Sequence, residues 1–131
     1  MRDPLPRPLV RVLVVDDEPD QLHSTCRSLL VCGYAPLAMD SAQVALALIQ
    51  RSSSVCDLLL TDLMLPGLSG VALCRQVHAL RPGLPVVLMT GSANAQLARR
   101  LAALGAASLP KPFTPDELDA TIRGALEENR P

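Results

Sequence analysis

Val10-Arg-Val-Leu-Val-Val-Asp-Asp-Glu-Pro19 is a short apolar run that ends abruptly in three acids and a proline. Val10 to Val15 reads as a strand. The residues from about Pro19 onward change period: Leu22, Cys26, Leu29 and Leu30 fall on one face of a helix, and Gly33 supplies its stop.

The same alternation repeats along the chain. Tyr34 to Met39 reads as a second strand, followed by a helix capped by Ser41 and carrying Ala45, Leu48 and Ile49. Asp57-Leu-Leu-Leu-Thr61 is a third strand, and the helix after Gly70 turns Val71, Cys74 and Val77 inward. Pro85 to Thr90 leads into a helix with Leu97, Leu101 and Leu104, and Ala107-Ser-Leu109 is a last strand. Thr114-Pro-Asp-Glu117 opens the final helix with a capping box and a proline at its first position. Five strand-helix units with near-continuous apolar strands predict a parallel sheet covered on both faces, a doubly wound α/β fold with right-handed crossovers.

Length and composition bound the rest. A chain of 131 residues is the size of one domain, and 49% hydrophobic content is enough for a sizeable core. Residues 1–9 carry three prolines and read as a tail or linker, 10–126 as the domain, and 127–131 as a C-terminal tail. Twelve Lys and Arg against 13 Asp and Glu give a net charge of −1, which is no nucleic-acid footprint. Tyr34 and Phe113 are the whole aromatic inventory, too little to stack bases. Cys26, Cys32, Cys56 and Cys74 lie in apolar surroundings without CxxC spacing, and no secretory leader is evident, so they read as reduced core residues of a cytoplasmic protein. No apolar run approaches the roughly 20 residues needed to span a bilayer.

Ligand sites in open α/β sheets lie beyond the carboxyl ends of the strands. The polar residues stand there: Asp16, Asp17 and Glu18 after the first strand, Asp62 at the end of the third, Thr90 at the end of the fourth, and Lys111 after the fifth. If the first and third strands are neighbours, the carboxylates converge. Carboxylates sharing a pocket raise each other's proton affinity unless a cation neutralises them, and Mg2+ suits a site that also keeps water and phosphate oxygens. A carboxylate can attack phosphorus when the charge on the transferring group is neutralised, here by the metal, Lys111 and the Thr90 hydroxyl.

Val12-Leu-Val-Val-Asp-Asp-Glu-Pro19, Asp62-Leu-Met-Leu-Pro-Gly-Leu-Ser-Gly70, Val86-Val-Leu-Met-Thr-Gly91 and Lys111-Pro-Phe113 together resemble the receiver domains of bacterial two-component response regulators, over about Val10 to Leu126. The resemblance implies a flavodoxin-like strand order 2-1-3-4-5. It implies Asp62 as phosphoacceptor, Asp17 as a direct metal ligand, Asp16 as a metal partner largely through water, and the Met64 carbonyl as a further ligand. Thr90 would bind a phosphoryl oxygen after transfer, Lys111 would pair with it, and the Lys111-Pro112 bond would be cis. The donor would be a sensor histidine kinase or a histidine phosphotransfer protein. The target would be a downstream effector protein, and the domain a monomer or a phosphorylation-dependent dimer.

Two positions depart from that family. Receivers carry Tyr or Phe three residues before the lysine, where its inward rotation reports phosphorylation; this chain has Ser108. Pro110 removes a donor from the last strand, which predicts a short strand at a sheet edge. Met64 and Ser92, two residues after Asp62 and Thr90, carry neither carboxylate nor amide, so slow to intermediate loss of phosphate is expected.

Plainer readings stand beside these. Asp16-Asp17-Glu18 alone would be a solvated helix start, and Thr90-Gly91-Ser92 a capping turn. His23 and His78 fall on polar helix faces as solvated side chains, and Gly67 and Gly70 serve a loop and a helix entry rather than a phosphate cradle. Ser108 motivates a second class, an interaction or scaffold module that works without phosphate. A third, a phosphatase of the haloacid dehalogenase type, lacks its DxDxT signature after the first strand. No output domain is expected after Leu126, which fits a stand-alone receiver or one cut from a hybrid kinase or longer regulator.

Overall fold

The buried apolar runs pair as strands, and the amphipathic segments between them pack as helices. The computed structural model describes residues 9–52 and 54–128. In chain order the elements are β1 (Arg11–Val15), α1 (Pro19–Val31), β2 (Ala35–Met39), α2 (Ala42–Arg51), β3 (Leu58–Asp62), α3 (Gly70–Leu80), β4 (Val86–Thr90), α4 (Ala95–Ala103), β5 (Ala106–Pro110) and α5 (Pro115–Glu128). The five strands are all parallel, in the order β2-β1-β3-β4-β5, as expected. The residues assigned to the tails fall outside the described ones at 1–8 and 129–131, while α5 runs on through Glu127 and Glu128.

Side chains alternate across a strand, so each strand feeds two cores. Leu13, Val15, Leu59, Val86 and Leu88 pack with Ala45 and Ile49 of α2, Leu73 and Val77 of α3, and Leu101 of α4. Val12, Val14, Leu58, Leu60, Val87 and Met89 pack on the opposite face with Leu29 of α1 and Leu118 and Ile122 of α5. Burial on both faces holds along β1, β3 and β4, whereas the edge strand β2, whose sequence is just as apolar, is only half-buried or exposed.

Helix starts follow local chemistry. Ser41, Ser69 and Asn94 cap α2, α3 and α4 with their side-chain oxygens, and Thr114 and Glu117 exchange both bonds of the expected capping box at α5. Gly33 follows α1 at φ +90°, a left-handed conformation that glycine adopts without steric cost.

Several expectations are corrected. Leu30 is exposed and Thr25 is buried in α1, because each residue turns the helix by about 100° and the inward stripe runs through Leu22, Thr25 and Leu29. β5 is as long as the other strands despite Pro110. The Lys111 N–H bonds the Thr90 carbonyl at 2.7 Å, so the alternation of the ladder turns the Pro110 nitrogen toward the open edge, where no donor is needed. Cys56 and Cys74 are buried as read, but Cys26 and Cys32 are only half-buried; all four are free thiols. His78 is half-buried rather than solvated, with Nε2 3.1 Å from the Leu84 carbonyl and Nδ1 3.7 Å from Cys74 Sγ. His23 is exposed as expected.

Tyr34 joins α1 to α5. Its ring is buried in the α1–α5 core, its hydroxyl donates to Asp119, and Arg123 pairs with the same carboxylate at 3.2 Å. Burial, with the Asp119 bond and charge behind it, raises the Tyr34 pKa from 10.0 to about 12. A proton held more tightly in the folded state means stability that is complete below the unfolded pKa and is lost as pH rises toward the folded one. Denaturant titrations from pH 10 to 12 are therefore expected to show a steeper loss of stability in the wild type than in Tyr34→Phe, which at neutral pH costs about 1 kcal/mol.

Candidate functional site

Register brings the strand ends to one rim. Val15 pairs with Thr61, so Asp16 and Asp62 leave β1 and β3 at the same level. Met89 pairs with Asp62 and Pro110 with Thr90, which places Thr90 and Lys111 one step further along.

At that rim, the Lys111 Nζ lies 2.6 Å from Asp62 Oδ2, 2.7 Å from Gln21 Oε1 and 3.9 Å from Asp16 Oδ2. The peptide bond after Lys111 is cis, as the motif implied. Phe113 turns back into the α1–α5 core, so the loop carrying the lysine is anchored just beyond it.

Asp16 is buried, with 1% of its surface exposed, and its Oδ1 accepts the Glu18 N–H at 3.0 Å. Its Oδ2 is buried without a hydrogen-bond partner. Burial raises its proton affinity above the ordinary value of 3.8, the Glu18 amide and the Lys111 charge oppose the rise, and Asp62 and Asp17 add to it. A desolvated carboxylate oxygen of this kind fits a hard cation, which would replace the lost water and offset the repulsion. Among the described residues, however, no three Asp, Glu, His or Cys side chains gather closely enough to hold a metal by themselves. Asp17 is exposed, so carbonyl and water oxygens would have to complete such a shell. Glu18 is occupied elsewhere, since its carboxylate caps α1 by accepting from Asp20 N at 3.2 Å and Gln21 N at 2.8 Å.

The loop after β3 orients Asp62. The Met64 N–H donates to Asp62 Oδ1 at 3.0 Å, although the Met64 side chain is exposed. Behind it Gly70 N–H bonds the Leu63 carbonyl at 3.0 Å, and a Cβ at position 70 would stand 2.3 Å from the Asp62 carbonyl oxygen. Only glycine lets α3 approach the strand end so closely. The sequence marks Gly70 as a helix entry, and this backbone approach is a contact between distant residues that composition does not display.

Thr90 is buried and its hydroxyl donates to the Ser92 carbonyl at 3.1 Å. Beside it Thr90, Ala98, Ser108 and Pro110 line a cavity of about 400 Å³ between β5 and the start of α4. Ser108 is half-buried there and is too short to fill it. Gln21 is the site residue that sequence reasoning misses. Its one signal is position: it is the third residue of the helix that starts at the acidic loop.

Comparison with known proteins places these features in a family. The family described as "Response regulator receiver domain" matches residues 12–123. "Response regulator MprA" of Mycobacterium bovis is 38% identical over 126 residues, covering 93% of this chain and 53% of the relative; the Mycobacterium leprae protein of that name is 35% identical over 125 residues with the same coverage. The chain thus spans about half the length of the curated relatives it matches. A CheY-like receiver domain protein from Methanospirillum hungatei superposes with a TM-score of 0.80 at 33% identity, covering 93% of this chain and 97% of the other. A receiver domain protein from Clostridium thermocellum superposes with a TM-score of 0.83 at 28% identity, covering 92% and 96%.

The raised Asp16 pKa has a signed consequence for the metal-free protein. Its contribution to stability is complete below the unfolded value of 3.8 and is lost as pH rises through the higher folded value. Asp16→Asn, which keeps the acceptor for Glu18 N–H and removes the buried charge, is expected to melt above the wild type at neutral pH, with the gap closing in acid. Thermal unfolding at several pH values in chelator checks this, and a lower neutral melting point in the variant would contradict it.

Proposed function

This chain belongs to the response regulator receiver domains of two-component systems, and from that membership we propose that Asp62 is its phosphoacceptor, served by Mg2+, Lys111 and Thr90. The observation that carries the reading is the Lys111 ammonium 2.6 Å from Asp62 Oδ2, beside the unpartnered buried oxygen of Asp16.

Asp16, Asp17, Asp62 and the Met64 carbonyl would hold Mg2+, which supplies charge neutralisation for the incoming phosphoryl group. An Asp62 carboxylate oxygen attacks phosphorus. The bond from phosphorus to the donor breaks, its electron pair leaves with the donor group, and an aspartyl phosphate forms. Lys111 offsets charge on the phosphoryl oxygens. Thr90 redirects its hydroxyl from the Ser92 carbonyl to one of those oxygens. The domain performs this transfer on itself rather than turning over a substrate.

The donor in the cell would be a sensor histidine kinase or a histidine phosphotransfer protein, and the changed surface would alter binding to a downstream effector protein, in the cytoplasm, as a monomer or a phosphorylation-dependent dimer. Neither a nucleic acid nor a membrane is a direct partner in this reading. The net charge of −1 supports the first. For the second, no described helix is long and apolar enough to cross a membrane.

Ser108 favours a second reading, a module that binds partners without phosphate, because the cavity beside Thr90 is lined by Leu97, Ala98 and Ser108 and by no aromatic ring that could move. One experiment separates the two. Intact mass after incubation with acetyl phosphate and Mg2+ is expected to show one added phosphoryl group, absent in Asp62→Asn; an unmodified wild type would favour the phosphate-independent module.

Loss of the phosphoryl group is a separate measurement. Met64 and Ser92 offer no side-chain carboxylate or amide to guide water, so the labelled domain, freed of donor, is expected to keep its phosphate for minutes or longer. Decay within seconds would contradict that.

A further inference from the structure

Gln21 takes no part in the chemistry of phosphoryl transfer, yet it makes one of the short contacts of the pocket. Its Oε1 accepts from Lys111 Nζ at 2.7 Å, nearly as close as the 2.6 Å ion pair with Asp62. The two contacts differ in what phosphoryl transfer does to them. Attack on phosphorus converts the Asp62 carboxylate into a mixed anhydride, so the ammonium must exchange its carboxylate partner for the incoming phosphoryl oxygens during transfer. The carboxamide of Gln21 is neutral and takes no part in the exchange, so its grip persists before, during and after transfer.

The contact is also anchored. Glu18 caps α1 through the Gln21 N–H at 2.8 Å, and Pro19 occupies the first helical turn, so the backbone of Gln21 is held where the acidic loop becomes helix. The Lys111 side chain spans from the far edge of the sheet, and a long flexible ammonium otherwise loses rotamer freedom to hold one geometry. We propose that Gln21 is a positioning residue for phosphorylation, a neutral tether from α1 that keeps the Lys111 ammonium over Asp62 while its ion pair passes from the carboxylate to the phosphoryl oxygens. This rests on Asp62 being the phosphoacceptor.

The test is the rate of labelling by acetyl phosphate with saturating Mg2+, followed by intact mass. Gln21→Leu keeps the bulk and removes the acceptor, and is expected to slow labelling about three- to tenfold, the range for the net worth of one typical intramolecular hydrogen bond. Gln21→Glu restores an acceptor and is expected to recover at least half of the rate. In a Lys111→Ala background the Gln21→Leu change is expected to have no further effect, since its action passes through the lysine. Melting temperatures within a few degrees of wild type, and an unchanged Mg2+ titration, show that fold and metal site are intact. If the wild type is labelled and Gln21→Leu is labelled equally fast, the positioning role is overturned and Asp62 remains the acceptor. If Gln21→Leu slows labelling as much without Lys111 as with it, the role is likewise overturned. A wild type that takes no phosphoryl group overturns the acceptor reading and this proposal together.

Discussion

The ammonium of Lys111 held between Asp62 and Asp16 is the contact on which the rest of the arrangement depends. Two carboxylates at neighbouring strand ends repel, and one of them is buried with an oxygen that accepts no hydrogen bond and has only the Lys111 ammonium at 3.9 Å. A single cation from the far edge of the sheet offsets part of that charge and leaves the remainder uncompensated. A further cation at the rim would offset that remainder. A fully neutralised pocket would be more stable and chemically idle.

Delivering that lysine requires the parallel sheet. Parallel strands end on one side, and a central β1 flanked by β2 and β3 lets α1 start over the rim that β3, β4 and β5 also reach. Helix caps then do double service. Glu18, which sits among acids that look like ligands, fixes the start of α1 and thereby Gln21. Gly70 lets the start of α3 press against the backbone of Asp62, so Asp62 is braced from behind while the Met64 N–H orients its carboxylate from the side.

The output side is built differently. Thr90 is buried beside a cavity whose other walls are Ser108 of β5 and Ala95, Leu97 and Ala98 of α4. α4 buries only Leu101 outright. A change at Thr90 therefore meets Ser108, Leu97 and the alanines of α4 there rather than a single large ring.

The sequence by itself determined the five alternating units, the parallel sheet and the identity of Asp16, Asp62, Thr90 and Lys111 as rim residues. Those follow from local period and from the rule that acids and hydroxyls after apolar strands fall at carboxyl ends. Helix faces are legible to within one position: Leu30 next to buried Leu29 is exposed and Thr25 next to half-buried Cys26 is buried, because a turn of about 100° per residue separates neighbours that hydrophobicity alone does not rank. Tertiary structure alone decided that Gln21 meets Lys111 across 90 positions, that Gly70 touches Asp62, that His78 turns inward to the Leu84 carbonyl, and that one Asp16 oxygen is left without a hydrogen bond. Each is a contact between side chains or backbones brought together by strand register and helix packing, and periodicity along the chain carries no record of which distant atoms will share a few ångströms of space.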